Sequence, residues 1–223
     1  MTEWPPDGYS APKEYRPTES GVFGISALIG LLLCIYFRGA LAQLADPLVN
    51  VLRIAFDQLG LGKILLAVAG ALGGLLLTLL LTLLLLIGIG AFFHWVVVPV
   101  HEAIHYGANQ LQGQKPKYIR TEFLLLENPA VINLSRGISV REYVPGALAP
   151  FIIIGLIALL AMQATTGFFE GLAAFVLVAN SAASGGDLYN AAYVVSLPRG
   201  TLFANFEDGN EYKTEYVVPE NFD

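Results

Sequence analysis

The sequence predicts an all-α integral membrane protein with about four transmembrane helices and a small β-hairpin in a polar loop. Hydrophobic residues make up 55% of the 223 residues, charged residues make up only 13%, and the mean hydropathy is +0.61. A soluble domain carries about 25% charged residues. Four long stretches are also nearly free of formal charge, and each is near the length of about 20 apolar residues that a helix needs to cross a bilayer.

Composition excludes several classes of function. The 12 Lys and Arg against 18 Asp and Glu give a net charge of -6, and no basic cluster could follow a phosphate backbone, so nucleic-acid binding is not expected. The one cysteine, Cys34, cannot form an intramolecular disulfide. A metal site built from thiolates is equally excluded, so any metal must be held by histidine and carboxylate oxygen.

Residues 1–20 form a polar, Pro-rich tail unlike the basic start of a signal peptide. The first span runs from Gly21 to about Leu44, with Arg38 near its far end, where a long side chain can reach the interface. Ala40-Leu41-Ala42 resembles a cleavage site, but the preceding segment is long enough to remain as an anchor.

The second apolar region, Ile64 to Val100, has no formal charge and continues as a helix to about residue 108. A chain that folds back near Gly88-Ile89-Gly90 would have five spans. No polar turn is present there, so we favour four spans with one long, tilted or broken helix. The third span is 146–166 and the fourth is 168–197, interrupted by Asp187, which gives a transmembrane domain over residues 21–200.

The polar loop 109–145 holds five of the twelve basic residues, which places it in the cytoplasm by the positive-inside rule. Four spans put nine basic residues inside and three outside, and five spans put ten inside and two outside, so charge does not decide the count. Lys117–Leu126 and Ala130–Leu134 are rich in β-formers on either side of an expected turn at residues 127–129. Ser139 and Glu142 have the spacing of a helix capping box.

Residues 201–223 form an acidic tail, which from Phe203 carries six acids and one lysine. We expect it to be extended and solvated, with a small hairpin around Asp208-Gly209 as its one candidate element.

The pattern His101-Glu102-Ala103-Ile104-His105 closes the second apolar region. Histidines four apart project to the same side of a helix, so both imidazoles can reach one metal ion, and Glu102 is aimed at its open position. Such an ion lowers the pKa of water and polarises a carbonyl, while the glutamate moves a proton from the water to the leaving amine. An unpaired glutamate at a lipid boundary is costly, which makes an accidental pattern less plausible.

A catalytic metal needs a third protein ligand, and Asp187 is the only acid inside the fourth span. Asn180, Ser184 and Asp187 form one polar stripe, and the expected depth of Asp187 matches that of the two histidines. Gly185 and Gly186 would let the second and fourth spans approach each other. The alternative for Asp187 is a simple hydrogen bond or ion pair at a helix end.

His94 is the rival third ligand, because positions 94, 101 and 105 share one helical face. Seven residues of helix span about 10.5 Å, which is too far for one ion unless the helix breaks at Pro99. We therefore expect His94 to be a neighbour of the site or part of its entry path.

These residues resemble a family of small membrane proteins called putative zincin peptidases, similar in plan to intramembrane site-2 proteases. The resemblance rests on His101-Glu102-x-x-His105, strand-like Tyr118-Ile119-Arg120 and Phe123–Leu126, Ala149-Pro150-Phe151 at the next span, Ser184-Gly185-Gly186-Asp187, and Leu197-Pro198-Arg199-Gly200. It covers roughly residues 60 to 219. It implies zinc at His101, His105 and Asp187 with Glu102 as catalytic base, although site-2 proteases carry an Asn-Pro-Asp-Gly type segment where this chain has Ser-Gly-Gly-Asp.

The leading hypothesis is a zinc-dependent membrane metallopeptidase that cleaves peptide or membrane-protein substrates at or within the cytoplasmic half of the bilayer. Asn180 and Ser184 are expected either to stabilise the oxyanion or to support the metal ligands through hydrogen bonds. The hairpin would either present a free edge to an extended peptide or cap the site. One alternative is a non-catalytic scaffold with a structural metal clip between helices, and another is a metal-ion carrier. Zinc is the expected ion, one per chain, although other divalent ions suit the same ligands.

Overall fold

The computed structural model describes residues 4–58, 79–80, 83–84, 86–123, 126–208 and 211–220. The protein is mostly helical with a small β region. In chain order the elements are β1 (Lys13–Tyr15), α1 (Glu19–Tyr36), α2 (Arg38–Ala42), α3 (Asp46–Gln58), a π-helical turn (Phe93–Val97), α4 (Val98–Leu111), β2 (Pro116–Phe123), β3 (Leu126–Asn133), β4 (Arg136–Ser139), α5 (Val140–Ala164), α6 (Phe168–Ala183), α7 (Gly185–Ser196), β5 (Leu202–Asp208) and β6 (Glu211–Val217).

Three helical segments in the described ranges are long and apolar enough to cross a membrane, namely Glu19–Tyr36, Leu86–Leu111 and Val140–Ala164. The pair α6 and α7 would make a fourth. The first helix ends at Tyr36, before the expected limit near residue 44, and the third begins at Val140, before the expected residue 146. The first part of the expected second span, residues 64–78, lies outside the described residues, as do residues 81, 82 and 85.

The segment Leu86–Leu111 is helical through Gly88 and Gly90, so the chain does not fold back there as the five-span alternative required. It widens into one π-helical turn before Pro99. Proline has no backbone N–H and cannot complete the regular ladder, and such interruptions favour a local change of helical pitch. The helix therefore does not break at Pro99, as His94 would need in order to join the ligands, but contains one π-turn within a continuous helical segment.

The fourth apolar segment is a bent pair of helices, which corrects the expected single helix from 168 to 197. Helices α6 and α7 meet at Ser184 with a bend of 45°. Ser184 has φ -71° and ψ 1°, a conformation outside the regular helix, and it is fully buried. The bend turns the first residues of α7, including Asp187, away from the axis of α6.

Glycine packing at this bend also differs from expectation. A Cβ on Gly185 would lie 2.8 Å from the backbone N and Cα of Ser26 in α1, and Gly186 faces Val22 of the same helix. These glycines therefore let α1 approach the start of α7, rather than bringing the second and fourth spans together. Helix α1 thus packs directly against the start of α7, the segment that carries Asp187.

The C-terminal segment is an integral part of a β-sheet, which corrects the expected extended and solvated tail. Strands β5 and β6 pair as a hairpin, as expected around residues 208–209, and lie between β4 and the N-terminal β1 in the order β1-β6-β5-β4. Phe203, Ala204 and Val217 are almost completely buried. Ile138, Val194 and Phe203 form a core cluster, so the sheet is fixed by apolar packing against α7.

The polar loop contains the expected β-hairpin, with β2 and β3 paired in antiparallel register. Phe123 pairs with Leu126, and residues 127–129, where a turn was expected, are instead part of β3. The Ser139–Glu142 capping box is present at the start of α5, with the Ser139 N–H 2.8 Å from the Glu142 carboxylate.

Candidate metal centre

Three side chains from two distant segments meet at one point. His101 and His105 lie one turn apart on α4, and both are buried. Their Nε2 atoms are 3.2 Å apart. The Asp187 Oδ2 atom, from the first turn of α7, lies 3.2 Å from the His101 Nε2 and 3.4 Å from the His105 Nε2. The structure therefore brings together the two histidines and the aspartate that the sequence singled out.

The back of the His101 ring is fixed by Asn180. The His101 Nδ1 lies 3.0 Å from the Asn180 Oδ1, and the Asn180 amide nitrogen donates a 3.3 Å hydrogen bond to the Pro150 carbonyl. The second bond sets which end of the buried amide faces the ring, so the Nδ1 must be the protonated nitrogen that donates to Asn180. The Nε2 of His101 then carries a lone pair.

The back of the His105 ring is fixed by a backbone carbonyl. The His105 Nδ1 lies 2.9 Å from the Gly146 oxygen in α5. In a regular helix this oxygen would accept a hydrogen bond from the N–H of residue 150, but residue 150 is proline and has none. Pro150 thus leaves the Gly146 carbonyl available to the imidazole, and the Nε2 of His105 also carries its lone pair toward Asp187.

These donor atoms fit a tetrahedral metal ion. Two imidazole lone pairs and a carboxylate oxygen converge with no proton left to link them, which is unfavourable unless a cation joins them. Their separations of 3.2, 3.2 and 3.4 Å form a nearly equilateral triangle. Zinc bonds of about 2.0–2.1 Å at tetrahedral angles place ligand atoms about 3.3 Å apart. The chemistry and spacing of the three residues therefore suit zinc.

Glu102 occupies a different position from the three candidate ligands. One ligand atom each from His101, Glu102 and His105 lie within 4.8 Å of one another. The Glu102 Oε2 accepts a 2.7 Å hydrogen bond from the backbone N–H of Val131 in β3. The Glu102 carboxylate is thus close to the imidazoles, but its hydrogen bond turns it toward the β2–β3 hairpin.

A cavity of about 310 Å³ opens beside these groups. Glu102, His105 and Asp187 contribute to its wall, and β3 contributes residues 130–133. Helices α5 and α7 and the β5–β6 hairpin also contribute to the wall, through residues that include Tyr143, Asn190 and Asn205. This volume is at the lower end of ordinary ligand sites. Ligand atoms, acid and space for a substrate are therefore adjacent.

The β2–β3 hairpin is joined to the C-terminal sheet above this cavity. The Asn205 amide nitrogen donates to the Asn133 carbonyl at the end of β3. The Lys117 Nζ donates to both Glu207 oxygens at 2.8 and 2.9 Å. This exposed pair raises the pKa of Lys117 and lowers the pKa of Glu207, mainly through the shared hydrogen bond. The C-terminal sheet thus helps to position β3.

The remaining sequence candidates do not contribute to the cavity wall. Asn180 lies behind His101, where it orients the imidazole. Ser184 is fully buried at the bend, and its Oγ has no hydrogen-bond partner among the described residues. His94 lies in the π-turn with its ring against Trp95, outside the ligand group. Neither Asn180 nor Ser184 is placed to stabilise an oxyanion in the cavity.

Sequence reasoning missed four contributors, namely Gly146, Pro150, Val131 and Tyr143. Val131 acts through its backbone, which no side-chain pattern can reveal. Pro150 did have a signal, since a proline inside an apolar helix frees the carbonyl four residues earlier, and that carbonyl then needs another donor.

Residues 94–202 match the family model described as "Putative zincin peptidase". The matched segment contains His94, the His101–His105 pattern and Asp187, and it is shorter than the resemblance expected over residues 60 to 219. No curated protein and no solved structure matches the chain.

Proposed function

We propose that this chain, which matches the putative zincin peptidase family over residues 94–202, is a zinc-dependent metallopeptidase of the membrane. The observation that carries the proposal is the triangle of His101 Nε2, His105 Nε2 and Asp187 Oδ2 beside the Glu102 carboxylate. Bound there, one zinc ion would supply Lewis-acid chemistry and lower the pKa of water. The family description supports the same class of reaction.

The surface of the apolar helices supports a membrane location. Leu31 of α1 and Leu160 of α5 are 59% and 69% exposed, within segments that carry little formal charge. Large exposed apolar faces are costly in water and are expected where lipid covers them. The five basic residues of the loop 109–145 favour a cytoplasmic position for the loop and for the C-terminal sheet that packs with it.

Glu102 is the proposed general base. Its carboxylate takes a proton from the attacking water as the water oxygen bonds to the carbonyl carbon of the substrate. It then gives the proton to the nitrogen of the breaking C–N bond. Asn180 and the Gly146 carbonyl keep the two imidazoles in the required tautomer, and the cavity holds the substrate residues next to the bond that breaks.

Strand β3 is the proposed binding edge for an extended substrate peptide. Within the described residues β3 pairs with β2 alone, and the N–H of Val131 points away from β2 toward Glu102. In an antiparallel strand the carbonyl of the same residue points to the same side, so Val131 offers both groups to a peptide. A substrate carbonyl would replace Glu102 at the Val131 N–H, which would release the carboxylate toward the water.

Comparing wild type with Glu102→Gln tests this function. Both proteins are purified in detergent, loaded with zinc, and incubated with a library of quenched fluorescent peptides and with membrane vesicles. We expect cleavage by the wild type, none by Glu102→Gln, and equal zinc content in the two proteins. The matched control is Glu170→Gln, because Glu170 is hydrogen-bonded to Gln43 away from the site.

Cleavage by Glu102→Gln at the wild-type rate would overturn the assignment of the base. A wild-type protein that holds zinc and cleaves nothing would favour the structural metal clip. Loss of zinc in Glu102→Gln would make Glu102 a fourth ligand and would also favour that closed site.

A further inference from the structure

The site needs a group that stabilises the oxygen of the carbonyl under attack, and neither residue expected from sequence can provide it. Asn180 lies behind His101 and donates an amide hydrogen to the Pro150 carbonyl, and Ser184 is buried at the bend of α6 and α7; neither lines the cavity. A donor for this oxygen must instead line the cavity that holds Glu102, His105 and Asp187.

Most polar side chains on the cavity wall already have partners. Asn205 donates one of its two amide hydrogens to the Asn133 carbonyl, and its side-chain oxygen accepts the only proton of the Thr214 hydroxyl. Gln114 accepts from the Asn133 amide, and Tyr212 donates to Glu207. These residues hold the hairpin and the C-terminal sheet together rather than facing a substrate.

Tyr143 is different, because its hydroxyl makes no hydrogen bond to any described residue although the ring is packed in place. The ring centroid lies 5.4 Å from that of Phe203, which is almost fully buried. Tyr143 lies on the cavity wall and is close enough to interact electrostatically with the Asp187 carboxylate. A fixed ring with a free O–H is a preorganised donor.

The position of Tyr143 on α5 relates it directly to the metal ligands. It is three residues before Gly146, whose carbonyl contacts the His105 ring, so both positions lie on the same face of the helix. Ala147, on the same face, also lines the cavity. Helix α5 thus holds His105 through one residue and offers the phenol through the previous turn.

We propose that the Tyr143 hydroxyl donates a hydrogen bond to the carbonyl oxygen of the substrate as that oxygen becomes negatively charged. No proton is transferred in this contact: the water oxygen bonds to the carbonyl carbon, the C=O π electrons move to the oxygen, and Glu102 takes the proton from the water. This inference rests on the proposed peptidase function and adds a catalytic residue to it.

Among the amides on the cavity wall, the two that lie one helical turn from a metal ligand are the competing donors. Asn190 accepts a 2.7 Å hydrogen bond from the Tyr15 hydroxyl, which leaves its amide nitrogen available. Asn109 packs its side-chain oxygen against Gly146. Asn190 lies one turn after Asp187 and Asn109 one turn after His105, so variants of both must accompany the test of Tyr143.

The test compares Tyr143→Phe with Tyr193→Phe, and each variant loses one phenolic hydroxyl. Tyr193 is the matched control, because its hydroxyl is hydrogen-bonded to that of Tyr216 and the residue does not line the cavity. Asn190→Ala and Asn109→Ala complete the set. We measure zinc content, kcat and KM on a cleaved peptide, and the Kd of a phosphinic peptide, whose tetrahedral oxygens mimic the attacked carbonyl. Removing one such donor lowers kcat by about 10²–10³-fold in other acyl-transfer sites.

We expect Tyr143→Phe to keep its zinc and its KM, to lose kcat by about 10²-fold or more, and to bind the phosphinic peptide more weakly by a similar factor. The Tyr193→Phe protein should match wild type. Unchanged kcat, a change in KM alone, or a kcat loss confined to Asn190→Ala or Asn109→Ala would overturn the inference.

The two proposals can fail separately. A wild-type protein that binds the phosphinic peptide but cleaves nothing would refute the peptidase, and the Kd of Tyr143→Phe would still decide the role of the hydroxyl. A zinc-loaded wild type that does not bind the phosphinic peptide refutes the inference itself.

Discussion

Substitution of Asn180 should weaken metal binding even though Asn180 does not touch the metal position. Its side chain is fully buried, and its Oδ1 lies 3.0 Å from the Nδ1 of His101. In Asn180→Ala the His101 Nδ1–H loses its acceptor, the ring is free to rotate, and the Pro150 carbonyl loses its donor. No group then accepts a hydrogen bond from the His101 Nδ1–H, so the tautomer that binds metal through Nε2 is no longer stabilised.

Two estimates of the size of this effect agree. Leaving a buried donor without a partner costs about 1–3 kcal/mol. Removing the group that orients a metal-binding histidine typically costs 10–100-fold in metal affinity. A loss of that size equals about 1.4–2.7 kcal/mol. We therefore expect Asn180→Ala to bind zinc about 10–100-fold more weakly than wild type.

The assay is competition for zinc between the purified protein in detergent and a chromophoric chelator of known affinity. Thermal unfolding of the metal-free variants separates a folding defect from weaker binding. Ser181→Ala is the control, because Ser181 is also buried on α6 but makes no hydrogen bond to a described residue. Zinc affinity within twofold of wild type in a folded Asn180→Ala protein would refute the reasoning.

Three further predictions address the supports of the site. Pro150→Ala restores an N–H that competes with His105 for the Gly146 carbonyl, so zinc affinity should fall by up to about tenfold in the same competition assay; unchanged affinity would contradict this. Gly185→Ala should lower the free energy of unfolding by about 1–3 kcal/mol, because its Cβ would lie 2.8 Å from the Ser26 backbone; Gly24→Ala, with open space around it, is the control for thermal unfolding in detergent. Lys117→Met should raise the lowered pKa of Glu207 toward its ordinary value in a carboxyl NMR titration, whereas Lys115→Met should not. The ion pair that joins β2 to β5 therefore stabilises the fold at pH values above the ordinary carboxyl range, and this stabilisation is lost as the pH falls through the lowered pKa of Glu207. An identical Glu207 titration in the two variants would contradict the role given to Lys117.

Sequence patterns predicted the residues that meet at the site better than the residues that support them. His101 and His105 are four apart on one helix, so helical geometry alone places their imidazoles together. Asp187 could be nominated because it is the only acid in an apolar segment, where an unpaired carboxylate is costly. Its arrival within 3.4 Å of both rings depends on tertiary packing, which the periodicity of one segment does not contain.

The bend at Ser184 shows why the expected packing was wrong in detail. A hydropathy profile shows residues 168–197 as one apolar segment, because the few Ser, Gly and Asp residues within it do not lower the average hydropathy enough to divide it. The glycines were expected to bring the second and fourth spans together, but Gly185 instead contacts Ser26 of α1. A glycine reports that a close approach is tolerated, and it does not identify the approaching helix.

The C-terminal sheet was missed because its strands are rich in charged residues. Six acids from residue 203 onward favoured a solvated tail. Alternation along β5 nevertheless buries Phe203, while β6 buries Val217, and the partner β1 comes from the other end of the chain. Pairing between residues about 200 positions apart has no local signature.

Metal content and ligation test the central claim most directly. Wild type, Glu102→Gln, His101→Ala and Asp187→Ala are purified without chelators, and zinc is quantified and its coordination examined by X-ray absorption. We predict about one zinc per chain in wild type and in Glu102→Gln, with two nitrogen ligands and oxygen ligands at about 2.0–2.1 Å, and loss of zinc in the other two variants. Folded wild-type protein that binds no transition metal, or Asp187→Ala that retains zinc at wild-type affinity, would contradict the account.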